Sequence, residues 1–134
     1  MIAIADTGWI VAFRHRRDAH HAWAKNLAGA LTLPILTCEA VLAEVAFRLE
    51  SVRAVVEMLK AGVLKLAFRL EEHEGRIAEL AQAYQDRKPD LADLCLIRMS
   101  ELFSRHTVLT VDYEDFVVYR RHCSEKIPFL SPRG

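Results

Sequence analysis

Short apolar runs alternate along the chain with stretches whose apolar residues recur at helical spacing. Ile2, Ala3, Ile4 and Ala5 form a nearly all-apolar run, the pattern of a strand buried on both faces. It stops at Asp6-Thr7-Gly8, and Trp9, Ile10, Val11, Ala12 and Phe13 then favour helix. Pro34 to Thr37 reads as a second strand, Val63 to Ala67 as a third and Val108 to Thr110 as a fourth. Ile127 to Leu130 is an edge-strand candidate, a place where its proline is tolerated. Helices fill the intervals. One is capped by Asp18 and runs through Trp23, Ala24 and Leu27 to Gly29. A second is capped by Thr37 and carries Val41, Leu42, Val45 and Leu49 on one face. Ser51 starts a third through Val55, Val56 and Leu59, which Gly62 ends. Further helices run from Glu71 to Gln85, from Asp90 through Leu102 and, briefly, from Asp112. Arg87-Lys88-Pro89 separates the first two of these, because proline disfavours helix in the residue before it.

This β-α alternation predicts an α/β fold with a mostly parallel sheet of four to five strands and helices on both faces. Residues just past the C-terminal ends of neighbouring strands in such a sheet gather on one rim, where ligands bind. Here those positions supply Asp6, Asp93 and Asp112, and Glu44, one to two turns into its helix, leans over them. At 134 residues and 52% hydrophobic, the chain fits a single domain with its own core.

Lys+Arg and Asp+Glu both number 18, so any attraction for nucleic acid must come from local clusters of basic residues. Two clusters lie within a dozen residues of a candidate acid: Arg14, Arg16 and Arg17 after Asp6, and Arg87 with Lys88 before Asp90. Each reads either as a phosphate contact or as a solvated face. Trp9 and Trp23 lie within apolar helix patterns, as core or dimer-contact residues do. Cys38, Cys95 and Cys123 are odd in number and lack C-x-x-C spacing, which fits neither a disulfide framework nor a zinc site and predicts buried thiols in a reducing compartment. Without a basic n-region or a membrane-length apolar run, the expectation is a soluble, cytoplasmic protein.

Each acid taken alone has a structural explanation. Asp90 and Asp93, and again Asp112 and Asp115, have the spacing of an N-cap and a third helical position, and Glu44 stands four residues before Arg48. Together they pose an electrostatic problem: two carboxylates 4 Å apart repel by roughly 4 kcal/mol at an effective dielectric near 20. A divalent cation removes it. All-oxygen ligation suits Mg²⁺ or Mn²⁺ better than zinc, and the chemistry implied is metal-assisted phosphodiester hydrolysis.

Four segments then resemble one family in order and spacing: ADTG (5–8), TCEAVLAEV (37–45), DLAD (90–93) and LTVDYEDFVVYR (109–120) are similar to those of PIN-domain ribonucleases, particularly the VapC-type toxins of toxin–antitoxin pairs. The resemblance implies a three-layer α/β/α sandwich with Asp6, Glu44, Asp93 and Asp112 as the metal-binding set. It also implies Thr7 as a supporting hydroxyl, with Asp90 and Asp115 as auxiliary acids. Mg²⁺ or Mn²⁺ dependence, an RNA substrate, an inhibitory antitoxin partner and homodimerisation follow from the same likeness. The chain departs from the family pattern at Leu94-Cys95, where smaller residues are usual. Rival expectations are a catalytically idle PIN-like scaffold that binds RNA or protein, and a Mg²⁺ phosphatase or DNA nuclease on a similar sheet.

Overall fold

The computed structural model describes all residues, 1–134, and places five parallel strands at the centre. In chain order the elements are β1 (Ala3–Ala5), α1 (Thr7–Arg14), α2 (His21–Ala28), β2 (Ile35–Thr37), α3 (Glu39–Leu49), α4 (Val52–Lys60) and β3 (Leu64–Leu66). They continue with α5 (Glu74–Ala83), α6 (Leu91–Leu102), β4 (Thr107–Leu109), α7 (Tyr113–Phe116), β5 (Arg120–Arg121), β6 (Glu125–Lys126) and β7 (Phe129–Leu130). The sheet order is β3-β2-β1-β4-β7. Ile4 lies opposite Leu36 on one side and Val108 on the other, so β1 is central and fully buried, as its apolar run requires. Helices flank the sheet, giving the α/β/α sandwich. A contiguous core of 31 buried apolar residues includes Trp9, which stacks on Phe13 with ring centroids 5.1 Å apart, while Trp23 packs partly buried against its edge.

Several local assignments differ from the sequence reading. Thr37 is not a helix cap: its hydroxyl donates across the sheet to Ala5 O at 3.0 Å, and Cys38 occupies the N-cap position of α3. Asp18 caps a turn rather than a helix, accepting from His20 N at 2.9 Å; His20 precedes α2. The stretch from Glu71 to Gln85 splits into a 3-10 turn over Leu70–His73, then α5, then a second 3-10 turn over Gln85–Arg87 that Lys88 ends in the left-handed region at φ 51°. The β5–β6 hairpin has no counterpart in the sequence reading, and its turn leaves Cys123 exposed, whereas Cys38 and Cys95 are buried as expected. No helix is long and apolar enough to cross a membrane.

Gly8 shows how tightly the β1–α1 junction is built. A Cβ there would overlap Val111 Cγ2 and stand 3.2 Å from Val111 Cβ and Cγ1. Valine is short and branched, so it cannot swing clear of the overlap as a long side chain would. Gly8→Ala is therefore expected to destabilise the protein by about 1–3 kcal/mol through overpacking. Chemical denaturation checks this, and an unchanged midpoint would mean that the Val111 loop yields freely.

Candidate metal centre

Asp6 directly follows β1 and occupies the N-cap of α1, so it sits at the junction of strand and helix. Its Oδ1 accepts from Thr7 N at 2.7 Å and its Oδ2 from the Thr110 hydroxyl at 2.7 Å. Thr110 follows β4, the strand beside β1, so the parallel pairing brings this hydroxyl to the aspartate. The same hydroxyl accepts from Asp112 N at 3.0 Å, which fixes the start of the Asp112 turn. Thr7 turns its own hydroxyl outward and donates to Glu44 Oε1 at 2.8 Å, joining α3 to the rim. Thr7 thus contacts the rim through Glu44.

Asp90 is the N-cap of α6, its Oδ1 accepting from Asp93 N at 2.8 Å. That cap sets the first turn so that Asp93, 7% exposed, faces the interior rim, where its Oδ2 accepts from the Tyr119 hydroxyl at 2.7 Å. Asp112 stands at the N-cap position of α7 but makes no side-chain cap bond, and its carboxylate lies beside that of Asp115. One oxygen each from Asp93, Asp112 and Asp115 lie within 4.8 Å of one another. Asp6 and Asp90 adjoin this trio closely enough to perturb it electrostatically.

The perturbations are large and share one sign. Burial pushes Asp93 up to about 8, with the Tyr119 hydrogen bond pulling the other way and the charges of Asp90, Asp6 and Asp112 adding to the rise. Burial likewise raises Asp6 to about 6 against its hydrogen bonds from Thr110 and Thr7 N, helped upward by Glu44 and Asp90. Asp112 rises to about 6 through burial and the neighbouring Asp115. Three adjacent acids that hold protons above their ordinary range form a site short of positive charge. The donor set is all oxygen, with no imidazole or thiolate in the trio, so it fits a hard divalent cation such as Mg²⁺ or Mn²⁺.

The basic candidates divide. Arg87 reaches the centre: its Nη2 lies 2.7 Å from Asp115 Oδ1 and also donates to Glu114 O, while the neighbouring Lys88 is exposed. Arg14, Arg16 and Arg17 do not. They lie at and beyond the far end of α1, whose eight residues carry them about 12 Å from the rim at 1.5 Å per residue. There they line a separate cleft with His15, Leu49 and Ser51, and Arg14 pairs with Glu57 at 3.5 Å. A whole helix separates them from the acidic rim.

The family model described as PIN domain matches residues 3–121, well over half of the chain. The chain belongs to the PIN-domain family. Members of this family are generally metal-dependent nucleases, and the fold of this PIN domain is a nuclease fold. No curated protein matches the chain.

Tyr119 and Thr110 are the two site residues that the sequence reading missed. A hydroxyl announces nothing by its spacing, and only the folded hairpin region and the β1–β4 pairing bring these two to their carboxylates. The tyrosine ring packs edge-on against Phe116 and Tyr84, with centroids 5.2 and 5.1 Å away, so Tyr119→Phe keeps the packing and removes only the hydrogen bond. That bond favours the ionised form of Asp93. Its loss is expected to move Asp93 ionisation, and with it the pH midpoint of divalent-cation binding, upward by up to about one unit. Cation titration across pH checks this, and a coincident midpoint would leave Tyr119 a packing residue only.

Proposed function

We propose that this PIN domain is a Mg²⁺- or Mn²⁺-dependent endoribonuclease that hydrolyses RNA phosphodiester bonds, with Asp6, Glu44, Asp93 and Asp112 as its metal-binding acids. The observation that carries the reading is the convergence of carboxylate oxygens from Asp93, Asp112 and Asp115 within 4.8 Å, next to a desolvated Asp6. A divalent cation, when bound, supplies the charge neutralisation and Lewis acidity that phosphodiester hydrolysis needs. The chain's own groups hold the acids in place. Thr110 and Thr7 N position Asp6, the Thr7 hydroxyl positions Glu44, Tyr119 positions Asp93, and Asp90 sets the turn on which Asp93 sits. Asp115 is an auxiliary acid whose charge Arg87 partly offsets.

Mg²⁺ keeps several waters and takes one or two carboxylates, which leaves room on the rim for a phosphate. Arg87, paired with Asp115, and its neighbour Lys88 would hold a phosphate beside that rim. Arg14, Arg16 and Arg17 would meet the RNA backbone away from the cleaved bond. The likeness of four segments to those of VapC-type toxins supports a toxin role, with an antitoxin that covers the acidic rim by placing a basic side chain among the carboxylates, and a homodimeric assembly.

RNA cleavage in Mn²⁺ and in EDTA, with Asp6→Asn as control, tests the activity; cleavage that survives in EDTA or in Asp6→Asn overturns it. Metal binding itself has a separate readout. A cation at a hundred times its dissociation constant stabilises the fold by about 2.7 kcal/mol, so the melting temperature is expected to rise on going from EDTA to millimolar Mn²⁺. Equal melting temperatures would remove the metal centre.

A further inference from the structure

We propose that Arg87 is a tethered rival of the divalent cation: in the metal-free protein it holds the Asp115 carboxylate, and a cation must displace it to use that acid. The inference rests on the metal centre proposed above. Arg87 comes from the same segment that delivers Asp90 and Asp93. It ends the 3-10 turn over Gln85–Arg87, Lys88 then reverses the chain in the left-handed region at φ 51°, and Asp90 caps α6. The backbone is fixed there, because Arg87 N donates to Tyr84 O at 2.9 Å and the Tyr84 hydroxyl accepts from Arg120 N at 2.8 Å. The side chain is only partly covered, and its two partners are Asp115 Oδ1 at 2.7 Å and Glu114 O at 3.2 Å. A rigid base thus carries a releasable tip.

The placement of this contact makes it a competition rather than an ordinary surface pair. Asp115 belongs to the trio whose oxygens lie within 4.8 Å of one another, so a cation among them and the guanidinium draw on one carboxylate. Asp115 is also the one acid of the rim that a basic side chain pairs with. The hydrogen bonds of Asp6, Glu44, Asp90 and Asp93 come from hydroxyl and backbone N–H groups, which orient a carboxylate without cancelling its charge. Arg87 alone supplies positive charge, and a guanidinium does not lose its proton in a protein, so no change of pH removes the rival. An ion pair this exposed is weak, which lets a doubly charged cation win while still lowering its affinity measurably. Displacement leaves the guanidinium beside the rim, available to a phosphate.

Calorimetric titration of Mn²⁺ into the full-length protein and into Arg87→Gln tests this. Arg87→Gln is expected to bind Mn²⁺ about fivefold more tightly, equivalent to about 1 kcal/mol at about 1.4 kcal/mol per tenfold. In an Asp115→Asn background, where the contested carboxylate is gone, the same change should alter the affinity by less than about twofold. Equal or weaker binding by Arg87→Gln overturns the proposal. So does a gain that persists undiminished in Asp115→Asn, because Arg87 would then act as a distant charge and not as a competitor. Should Asp115→Asn bind Mn²⁺ too weakly to titrate, the NMR resonance of Arg87 Nε, assigned by its loss in Arg87→Gln, decides instead. Saturating Mg²⁺ should move that resonance to the position of a solvated arginine, and an unmoved resonance overturns the proposal. If neither the unaltered protein nor Arg87→Gln binds a divalent cation, the metal centre itself falls; equal binding by both leaves the centre standing and removes only the rivalry.

Discussion

At pH 8 and without divalent cations, Asp93→Asn is expected to melt above the unaltered protein, and with Mn²⁺ present it is expected to cleave RNA at least about a hundredfold more slowly, since even groups that only support a metal ligand are worth about 10–100-fold at metal sites. The stability half of this result follows from linkage. Asp93 has its folded-state value raised to about 8, above the ordinary aspartate value near 3.8 that the unfolded chain regains. Between those values the folded apo-protein binds more protons than the unfolded chain, so stability falls as pH rises through that window. Asp6 and Asp112, raised to about 6, add to the same fall over the lower part of it. Above pH 8 all three are ionised and the rim is under its full repulsion.

Asparagine removes one charge and keeps an oxygen to accept from Tyr119. One effect opposes the gain: Asp93 sits in the first turn of α6, where the helix dipole favours an anion by about 0.3–1 kcal/mol. A group raised to about 8 by burial and like charges is penalised by more than that, so the stabilising sign should win. Melting curves with EDTA at pH 5 and pH 8 provide the check. The advantage of Asp93→Asn should be small at pH 5, where Asp93 is protonated anyway, and larger at pH 8. A variant that melts lower at both pH values would mean that Asp93 serves the helix first and the site second.

The fold was largely legible because its signals are local. The apolar run from Ile2 to Ala5 predicts a strand buried on both faces, which forms over Ala3–Ala5, and the Asp90 cap followed by a long apolar helix is where the structure puts it. The acids were legible for a related reason: a parallel sheet sends the residues after its strands to one rim, so topology alone gathers Asp6 and Asp112. What could not be read depends on partners distant in sequence. Thr37 looks like a cap, but Ala5 O, 32 residues earlier, offers its hydroxyl a buried acceptor that a solvated cap cannot match. Arg87 looked free and is paired with Asp115, 28 residues on. The short β5–β6 hairpin carries no apolar alternation to betray it, because what holds it is charge rather than packing.

That charge centres on Glu101, and Glu101→Gln is expected to destabilise the protein by about 3 kcal/mol, near the lower end of what breaking a buried ion pair costs. The carboxylate is 8% exposed near the end of α6. Arg76 of α5 binds it through two nitrogens at 3.0 and 2.7 Å, Arg98 donates at 3.1 Å, and His122 N of the β5–β6 turn donates at 2.7 Å. One side chain therefore ties α5, α6 and the hairpin together, and Arg121 next to it reinforces the tie through Ser100 O and Ser104 O. Burial alone would raise Glu101, but the hydrogen bonds from Arg76, His122 N and Arg98 outweigh it and hold the group down to about 2. The sign is opposite to that of the metal centre. A depressed carboxylate contributes stability that is full above its unfolded value near 4.5 and is lost as pH falls toward 2. The gap between the unaltered protein and Glu101→Gln should accordingly be constant from pH 5 to 8 and shrink in acid. For a chain of this size a loss of 3 kcal/mol lowers the melting temperature by on the order of 10 °C. Because glutamine strands two guanidinium groups, replacing Arg76 and Glu101 together by methionine should recover part of the loss, which separates the penalty of an orphaned charge from the net worth of the pair. A Glu101→Gln protein that melts within about 2 °C of the parent at pH 7, where roughly 0.5 kcal/mol is all that shift represents, would mean that the hairpin and α5 are held by packing and that the arginines simply find water instead.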